Sequence, residues 1–248
     1  MVQSGNDLLL LSVSTYSLLA FGFALGLKHA VEADHIAAVS TIAIERRNAL
    51  SSSLVGALWG LGHTISLLIA AIAVMWLHYE ISDRVKQSLE FCVGLMLVIL
   101  GANVLRTLIR GAATHMHVHE HVSCRHAHPH SRDQAPSPWR SRRSVRVDPR
   151  PLIVGMVHGL AGSAALMLLT ATTISSPLEG MFYIAIFGIG SMAGMMIMST
   201  LVSLPAGLTA ARYERANVAL RGVSGLFSVS LGLFTMYEIS IVNHLFTP

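Results

Sequence analysis

Charged residues are scarce in this sequence, and their scarcity indicates its class. Of the 248 residues only 12% are charged, while 53% are hydrophobic. An average soluble domain carries about 25% charged residues. Half that share is too little to cover the water-exposed surface of a 26.6 kDa protein. We therefore expect a membrane protein with several spans and exclude a soluble, disordered or fibrous chain.

Other absences narrow the function. Only two cysteines are present. Cys92 lies in an apolar block and Cys124 in a polar loop, which excludes a disulfide scaffold. The sequence has no Gly-rich nucleotide loop of the Walker type, which argues against ATP drive. Ser163 lacks the Gly-x-Ser-x-Gly setting of a hydrolase nucleophile. We expect no enzyme activity, and no removable signal peptide because no basic segment precedes the first apolar run.

Six apolar segments are long enough to cross a bilayer, whose hydrocarbon core of about 30 Å needs about 20 apolar residues. The predicted spans are Leu8–Leu27, Leu54–Leu77, Leu89–Ile109, Leu152–Ile174, Met181–Leu204 and Gly222–Val242. Apolar character resumes over residues 36–44, so the first helix is expected to be long or broken. Whether this first block crosses once or twice stays open. The predicted fold is an all-α membrane protein with six transmembrane helices.

The arginines and lysines predict the orientation. Nine arginines, from Arg106 to Arg150, border or occupy the loop after the third span. Smaller arginine groups follow the first and fifth spans, whereas the opposite side holds only Arg84 and Lys86. The positive-inside rule then makes the central loop cytoplasmic and both termini external, in a cell membrane. Because the net charge of +4 sits in these loops, we do not expect nucleic acid as a partner.

The two halves of the chain resemble each other. The matched segments are residues 26–30 with 155–159, residues 59–63 with 187–191, and Gly94 and Gly101 with Gly225 and Gly232. Three spans per half is an odd number, so the halves must be inserted in opposite senses, as in many secondary transporters. The sequence therefore predicts a first three-helix repeat over residues 1–111, a loop over 112–150 and a second three-helix repeat over 151–248.

The densest polar cluster, KHAVEADH over residues 28–35, lies within the first apolar block. Ionisable groups at membrane depth usually mark an ion pathway. On a regular helix of about 100° per residue, Asp34 and His35 would point away from His29. Convergence on one ion therefore requires a bent or unwound backbone. Imidazole suits nickel, cobalt, copper and zinc, and the carboxylates of Asp34 and Glu32 would add charge. The alternative is a polar loop solvated by water.

Two further histidines lie within predicted spans. His63 follows Gly62, which permits close helix approach, and is expected to be a ligand or relay. The alternative for His63 is a neutral side chain hydrogen-bonded to a neighbouring helix. His158 stands at the repeat position of His29 and is either a further ligand or structural. The second half has Ser163 where the first half has Asp34, so the predicted metal chemistry is concentrated in the first half.

Seven histidines crowd the central loop. They are His115, His117, His119, His121, His126, His128 and His130. Alternating histidines in a flexible segment can hold divalent metal loosely, so the loop is predicted to buffer metal, with Cys124 as an additional ligand. Their spacing lacks the pattern of a structural zinc site. The alternative is a disordered linker whose basic end faces anionic lipid.

These motifs resemble those of a known family. His29, Asp34 and His35 match the His-x4-Asp-His signature of the nickel/cobalt transporter family, and LGHT over residues 61–64 resembles its second signature. The segment from His158 to Ser163 is similar to the smaller urease-accessory branch of nickel permeases. The resemblance covers both halves. It implies a permease in which His29, Asp34 and His35 are required for transport, with His63 close by.

Taken together, the sequence predicts a secondary permease for Ni²⁺ or Co²⁺. The expected metal ligands are His29, Glu32, Asp34, His35 and His63, with His158 as a further candidate. The ion is a transported substrate, and no permanently bound cofactor is expected. Expected partners are the bilayer and a nickel enzyme such as urease, or its metallochaperone. The resemblance implies uptake. An efflux permease and a membrane b-type haem protein that uses the intramembrane histidines stay as alternatives.

Overall fold

A computed structural model describes residues 17–44, 48–76, 82–112, 118–121, 124–127, 148–160, 176–210 and 213–242. Within these ranges the fold is helical, apart from a two-stranded antiparallel hairpin in the central loop. In chain order the elements are α1 (Ser17–His29), α2 (Ala33–Ala43), α3 (Ala49–Met75), α4 (Asp83–Ala112), β1 (Val118–His121), β2 (Cys124–Ala127), α5 (Arg150–Gly159), α6 (Pro177–Ala210) and α7 (Glu214–Tyr237). A π-helical turn over Glu238–Val242 continues α7.

Four of the described helices, α3, α4, α6 and α7, are long and apolar enough to cross a bilayer. They coincide with the second, third, fifth and sixth predicted spans. The shorter α1 is also apolar. The scarcity of charge in the sequence is explained by these helices, whose outward faces carry large apolar side chains. The chain is a helical, multi-pass membrane protein.

The two other predicted spans are described only in part. The first was predicted to begin at Leu8, and residues 1–16 lie outside the described residues. The fourth corresponds to α5, which ends at Gly159, and residues 161–175 also lie outside them. The number of six spans and the division into two repeats therefore stay predictions.

The first apolar block is broken at the polar motif. α1 ends at His29 and α2 begins at Ala33. Between them Glu32 has an extended backbone, with φ −67° and ψ 150°, and its N–H donates to the His29 carbonyl at 3.1 Å. Helical spacing therefore no longer fixes the direction of His29 relative to Asp34. The sequence predicted that the first helix would be long or broken, and in the structure it is broken.

Small residues bring α3 close to α6. A Cβ on Gly56 would collide with the Met195 carbonyl, and one on Gly188 would collide with the Thr64 side chain. From the first contact to the second, the residue numbers increase along α3 and decrease along α6, so the two helices run antiparallel. Close approach through small residues is a common form of helix packing in membranes, where burial of apolar surface drives association weakly.

The pair α4 and α7 packs in the same way. A Cβ on Gly101 would lie 2.5 Å from the Gly225 carbonyl oxygen, and one on Gly94 would lie 3.0 Å from that of Gly232. Between these two contacts the hydroxyl of Ser228 donates to the Leu97 carbonyl at 2.8 Å. The pairing is antiparallel and places these two long helices side by side.

Candidate metal site

Four buried imidazoles, those of His29, His35, His63 and His158, meet at the break between α1 and α2. Each of the four residues is at most 4% exposed. The ring centroid of His35 lies 4.3 Å from that of His29 and 4.1 Å from that of His158. The centroid of His63 lies 5.1 Å from that of His29 and 5.6 Å from that of His35. These four side chains form the histidine cluster, with His35 at its centre.

Each histidine comes from a different helix. His29 is the last residue of α1, and His35 lies in the first turn of α2. His63 lies in the middle of α3, and His158 in the last turn of α5. A Cβ on Gly159 would lie 2.6 Å from the His63 carbonyl oxygen. Glycine at this position therefore allows α5 to bring His158 against α3.

Asp34 links two of these histidines. Its Oδ2 lies 3.0 Å from Nε2 of His158. Its Oδ1 lies 3.1 Å from Nδ1 of His35 and accepts the backbone N–H of the same residue at 2.9 Å. Because Asp34 and His158 are 124 residues apart in the chain, their contact joins the first half to the second. A carboxylate between two imidazoles is a suitable donor set for a divalent transition metal.

The donor atoms form two groups of three. The first group, termed the imidazole group, has one nitrogen from each of His29, His35 and His63, and these nitrogens lie within 4.8 Å of one another. One donor atom each from Asp34, His35 and His158 lie equally close, and this set is termed the mixed group. His35 belongs to both. Five of the six site residues predicted from the sequence are therefore brought together.

Glu32, the sixth of the predicted site residues, lies at the edge of the cluster. Its Oε2 is 3.0 Å from Nδ1 of His29, but the side chain is 43% exposed, whereas that of His29 is 4% exposed. Neither of the two donor groups includes Glu32. Its position suits a residue that meets an arriving or departing ion at the surface of the site.

Several ring nitrogens of the cluster have no hydrogen-bond partner among the residues that the structure describes. They are Nε2 of His35, both nitrogens of His63 and Nδ1 of His158. Buried polar groups are almost always hydrogen-bonded, so such exceptions require an explanation. A cation that binds these nitrogens would supply the missing partner.

Two aromatic side chains, which the sequence analysis did not single out as site residues, border the cluster. The ring centroid of Phe187 lies 5.5 Å from that of His29, and the centroid of Trp59 lies 5.9 Å from that of His158. Both aromatic residues are at most 1% exposed. The alignment of the two halves pairs Trp59 with Phe187, and this is the signal from which they could have been found.

The loop histidines contribute no described side chain. The backbones of three of them lie in the hairpin, where His119 pairs with His126 and His121 with Cys124. The other four lie outside the described residues: His115, His117, His128 and His130. Metal buffering by the loop therefore stays a prediction.

Comparison with known proteins gives a family match over most of the chain. The family model described as "NicO: High-affinity nickel-transport protein" matches residues 15–241. A relative from Bacillus sp. (strain TB-90), named "Urease accessory protein UreH", is 36% identical over 234 residues, which are 94% of this chain and 96% of the relative.

Two Arabidopsis thaliana proteins are more distant relatives. They are named "Chloroplast protein FOR GROWTH AND FERTILITY 1" and "Chloroplast protein FOR GROWTH AND FERTILITY 2". Each is 26% identical to this chain over 214 residues, or 86% of the chain. The match spans only 56% of the first and 54% of the second, so about half of each plant protein is related to this chain. No solved structure matches the chain.

Proposed function

The chain belongs to the NicO family of high-affinity nickel-transport proteins, and from this premise we propose that it carries Ni²⁺ across a membrane through the histidine cluster. The observation that carries the proposal is the convergence of four buried imidazoles and one carboxylate at a helix break. Ionisable groups at membrane depth face ion pathways, and broken helices form the substrate sites of many transporters. Co²⁺ is a second substrate that the same donors suit.

Each residue has a distinct role in this proposal. His29, His35 and His63 supply neutral nitrogen ligands, and Asp34 supplies negative charge that offsets the charge of the ion in a low-dielectric site. His158 holds Asp34 in place across the two halves of the chain. Glu32 attracts the ion at the exposed edge. Because metal ligands must be deprotonated, protons compete with the ion for these sites, which offers a means of coupling transport to a proton gradient.

The packing supports two inverted repeats and hence a secondary permease. In the alignment of the two halves, Gly94 corresponds to Gly225, and Gly101 corresponds to Gly232. Exchanging each residue for its counterpart therefore turns the Gly94–Gly232 contact into the Gly101–Gly225 contact. Near the cluster, Cβ atoms on Gly26 and Gly155 would collide with the carbonyls of the aligned residues Phe187 and Trp59. A two-fold relation between the halves accounts for both exchanges. Transport would then proceed by movement of one half against the other.

The direction of transport is proposed as uptake, with the central loop on the cytoplasmic side of the cell membrane. The positive-inside rule favours that orientation. A relative carries a urease accessory name, which supports delivery of nickel to a nickel enzyme such as urease or to its metallochaperone. The loop histidines would then bind ions after they cross. Efflux is the alternative that a metal-binding cytoplasmic loop also suits.

Accumulation of ⁶³Ni²⁺ in cells tests the proposal. Wild type, His29→Ala and a deletion of residues 113–147 are compared at matched membrane abundance with cells that hold an empty vector. Ile69→Ala serves as the control because Ile69 also belongs to α3, lies outside the LGHT segment and is 55% exposed. We expect wild type, Ile69→Ala and the deletion to raise accumulation and His29→Ala to abolish the increase.

Each other outcome changes a specific part of the proposal. Accumulation below that of the empty vector would mean efflux. Loss of accumulation in the deletion but not in His29→Ala would move the essential site to the loop. No difference between wild type and empty vector would contradict nickel transport in either direction. In that case a Soret band in the purified protein would favour the haem protein.

A further inference from the structure

We propose that the histidine cluster holds the ion at two overlapping positions, the imidazole group and the mixed group, which are occupied in turn and share His35. This inference rests on the proposed nickel transport. Each group has its donor atoms within 4.8 Å of one another, but the two groups do not merge into one at that spacing. The ring centroids of His63 and His158, one from each group, are 6.3 Å apart.

The two positions lie on opposite sides of the helix break. The imidazole group takes His29 from the end of α1 and His63 from α3. The mixed group takes Asp34 from the start of α2 and His158 from α5. A movement of α5 away from α3 would therefore open the mixed group, while the imidazole group, which takes no residue from α5, stays closed. Such an arrangement fits a site at the interface of two moving halves.

His35 allows the ion to pass between the positions without losing all its ligands. Its ring is the nearest described imidazole to both His29, at 4.3 Å, and His158, at 4.1 Å. The ion exchanges His29 and His63 for Asp34 and His158, and His35 offers a ring nitrogen at both positions. An ion without ligands inside a buried site would be an unpaired buried charge, which costs much free energy. A ligand residue shared by the two positions lowers that cost.

In the structure, a hydrogen bond between Asp34 and His158 takes the place that the ion would occupy in the mixed group. Metal–nitrogen and metal–oxygen bonds of about 2.1 Å at a right angle place the two donors about 3.0 Å apart. The observed distance from Oδ2 of Asp34 to Nε2 of His158 is 3.0 Å. A neutral His158 that donates to the carboxylate carries its hydrogen on Nε2. When the ion takes that place, the neutral ring binds it through Nε2 and carries its hydrogen on Nδ1, which has no partner among the described residues.

Nickel binding by the purified protein in nanodiscs tests the two positions. Equilibrium dialysis gives the number of bound Ni²⁺ ions, and X-ray absorption at the nickel edge counts imidazole ligands. His158→Ala leaves the imidazole group intact, His63→Ala leaves the mixed group, and His35→Ala damages both. Ile69→Ala is the matched control on α3. Glutamine variants of the same histidines replace any alanine variant that does not give a monodisperse protein.

We expect one ion per wild-type protein, since two divalent ions would repel each other at this distance. His158→Ala should bind one ion through three imidazoles, and His63→Ala should bind one through two imidazoles and a carboxylate. Both should bind within about 10-fold of wild-type affinity yet lose at least about 10-fold in transport rate, because each lacks one step of the exchange. His35→Ala should lose binding.

Two results would overturn the two positions while nickel transport stands. Loss of binding in His63→Ala and in His158→Ala, as complete as in His35→Ala, would mean one joint site. Wild-type transport by His158→Ala would mean that the mixed group is not used. A wild-type protein that binds no Ni²⁺ and transports none would overturn both the inference and the proposed function.

Discussion

Replacing Gly155 with alanine tests whether close packing of α5 on α3 holds the mixed group together. Gly155 lies three residues before His158 in α5. A Cβ at this position would collide with the Trp59 carbonyl and would lie 2.7 Å from Cδ1 of the Trp59 ring. A helix backbone cannot move aside at one residue, so α5 must shift away from α3 by roughly 1 Å to restore ordinary contact distances.

The shift has a calculable effect on the site. The distance between Oδ2 of Asp34 and Nε2 of His158 is 3.0 Å. A shift of roughly 1 Å takes it to about 4 Å, beyond hydrogen-bond range. Overpacking of this kind costs about 1–3 kcal/mol. Because an ion in the mixed group needs α5 back in place, the strain opposes binding there. In a His63→Ala background, where only the mixed group remains, we expect Ni²⁺ affinity to fall by roughly 5- to 150-fold.

Calorimetric titration of Ni²⁺ into the His63→Ala protein in nanodiscs, with and without Gly155→Ala, measures this change. Gly222→Ala is the matched control, because a Cβ on Gly222 would lie 3.9 Å from Cδ1 of Leu108, its nearest contact. Both variants replace a helical glycine by alanine and gain up to about 1 kcal/mol of helix propensity. An affinity that Gly155→Ala leaves unchanged in this background, or an equal loss caused by Gly222→Ala, would contradict this account.

Three further predictions concern the charge of the site. Asp34→Asn should reduce ⁶³Ni²⁺ transport at least about 10-fold because the amide cannot offset the charge of the ion. The control Asp83→Asn should not reduce transport, because the Asp83 side chain is 88% exposed. Equal effects of the two variants would contradict a role for Asp34. Lowering the pH should weaken Ni²⁺ binding in a titration because protons compete with the ion for its ligands, so tighter binding in acid would be the contrary result. Glu32→Gln should raise the KM for nickel more than it lowers the maximal rate, since Glu32 lies at the exposed edge; a loss confined to the maximal rate in ⁶³Ni²⁺ uptake would place it elsewhere in the cycle.

The class of the protein and the chemical nature of its site follow from the pattern of residues alone. Long segments without charge can be stable only where little surface meets water, so they predicted membrane helices, and four of them are long helices in the structure. The motif from His29 to His35 implied a broken helix, because a regular helix would separate its side chains. The observed break lies inside that motif, at Ala30–Glu32. Local backbone geometry was enough for these conclusions.

Which donor atoms meet depends on the packing of helices that are far apart in the chain. His158 and Asp34 are 124 residues apart, and no local spacing specifies that contact. It depends on how closely α5 can approach α3, and glycines at the interface determine that distance. The same packing places Trp59 and Phe187 against the imidazoles and leaves Glu32 at the edge. Sequence patterns show which residue types are present, but the donor groups arise from contacts between helices that are distant in the chain.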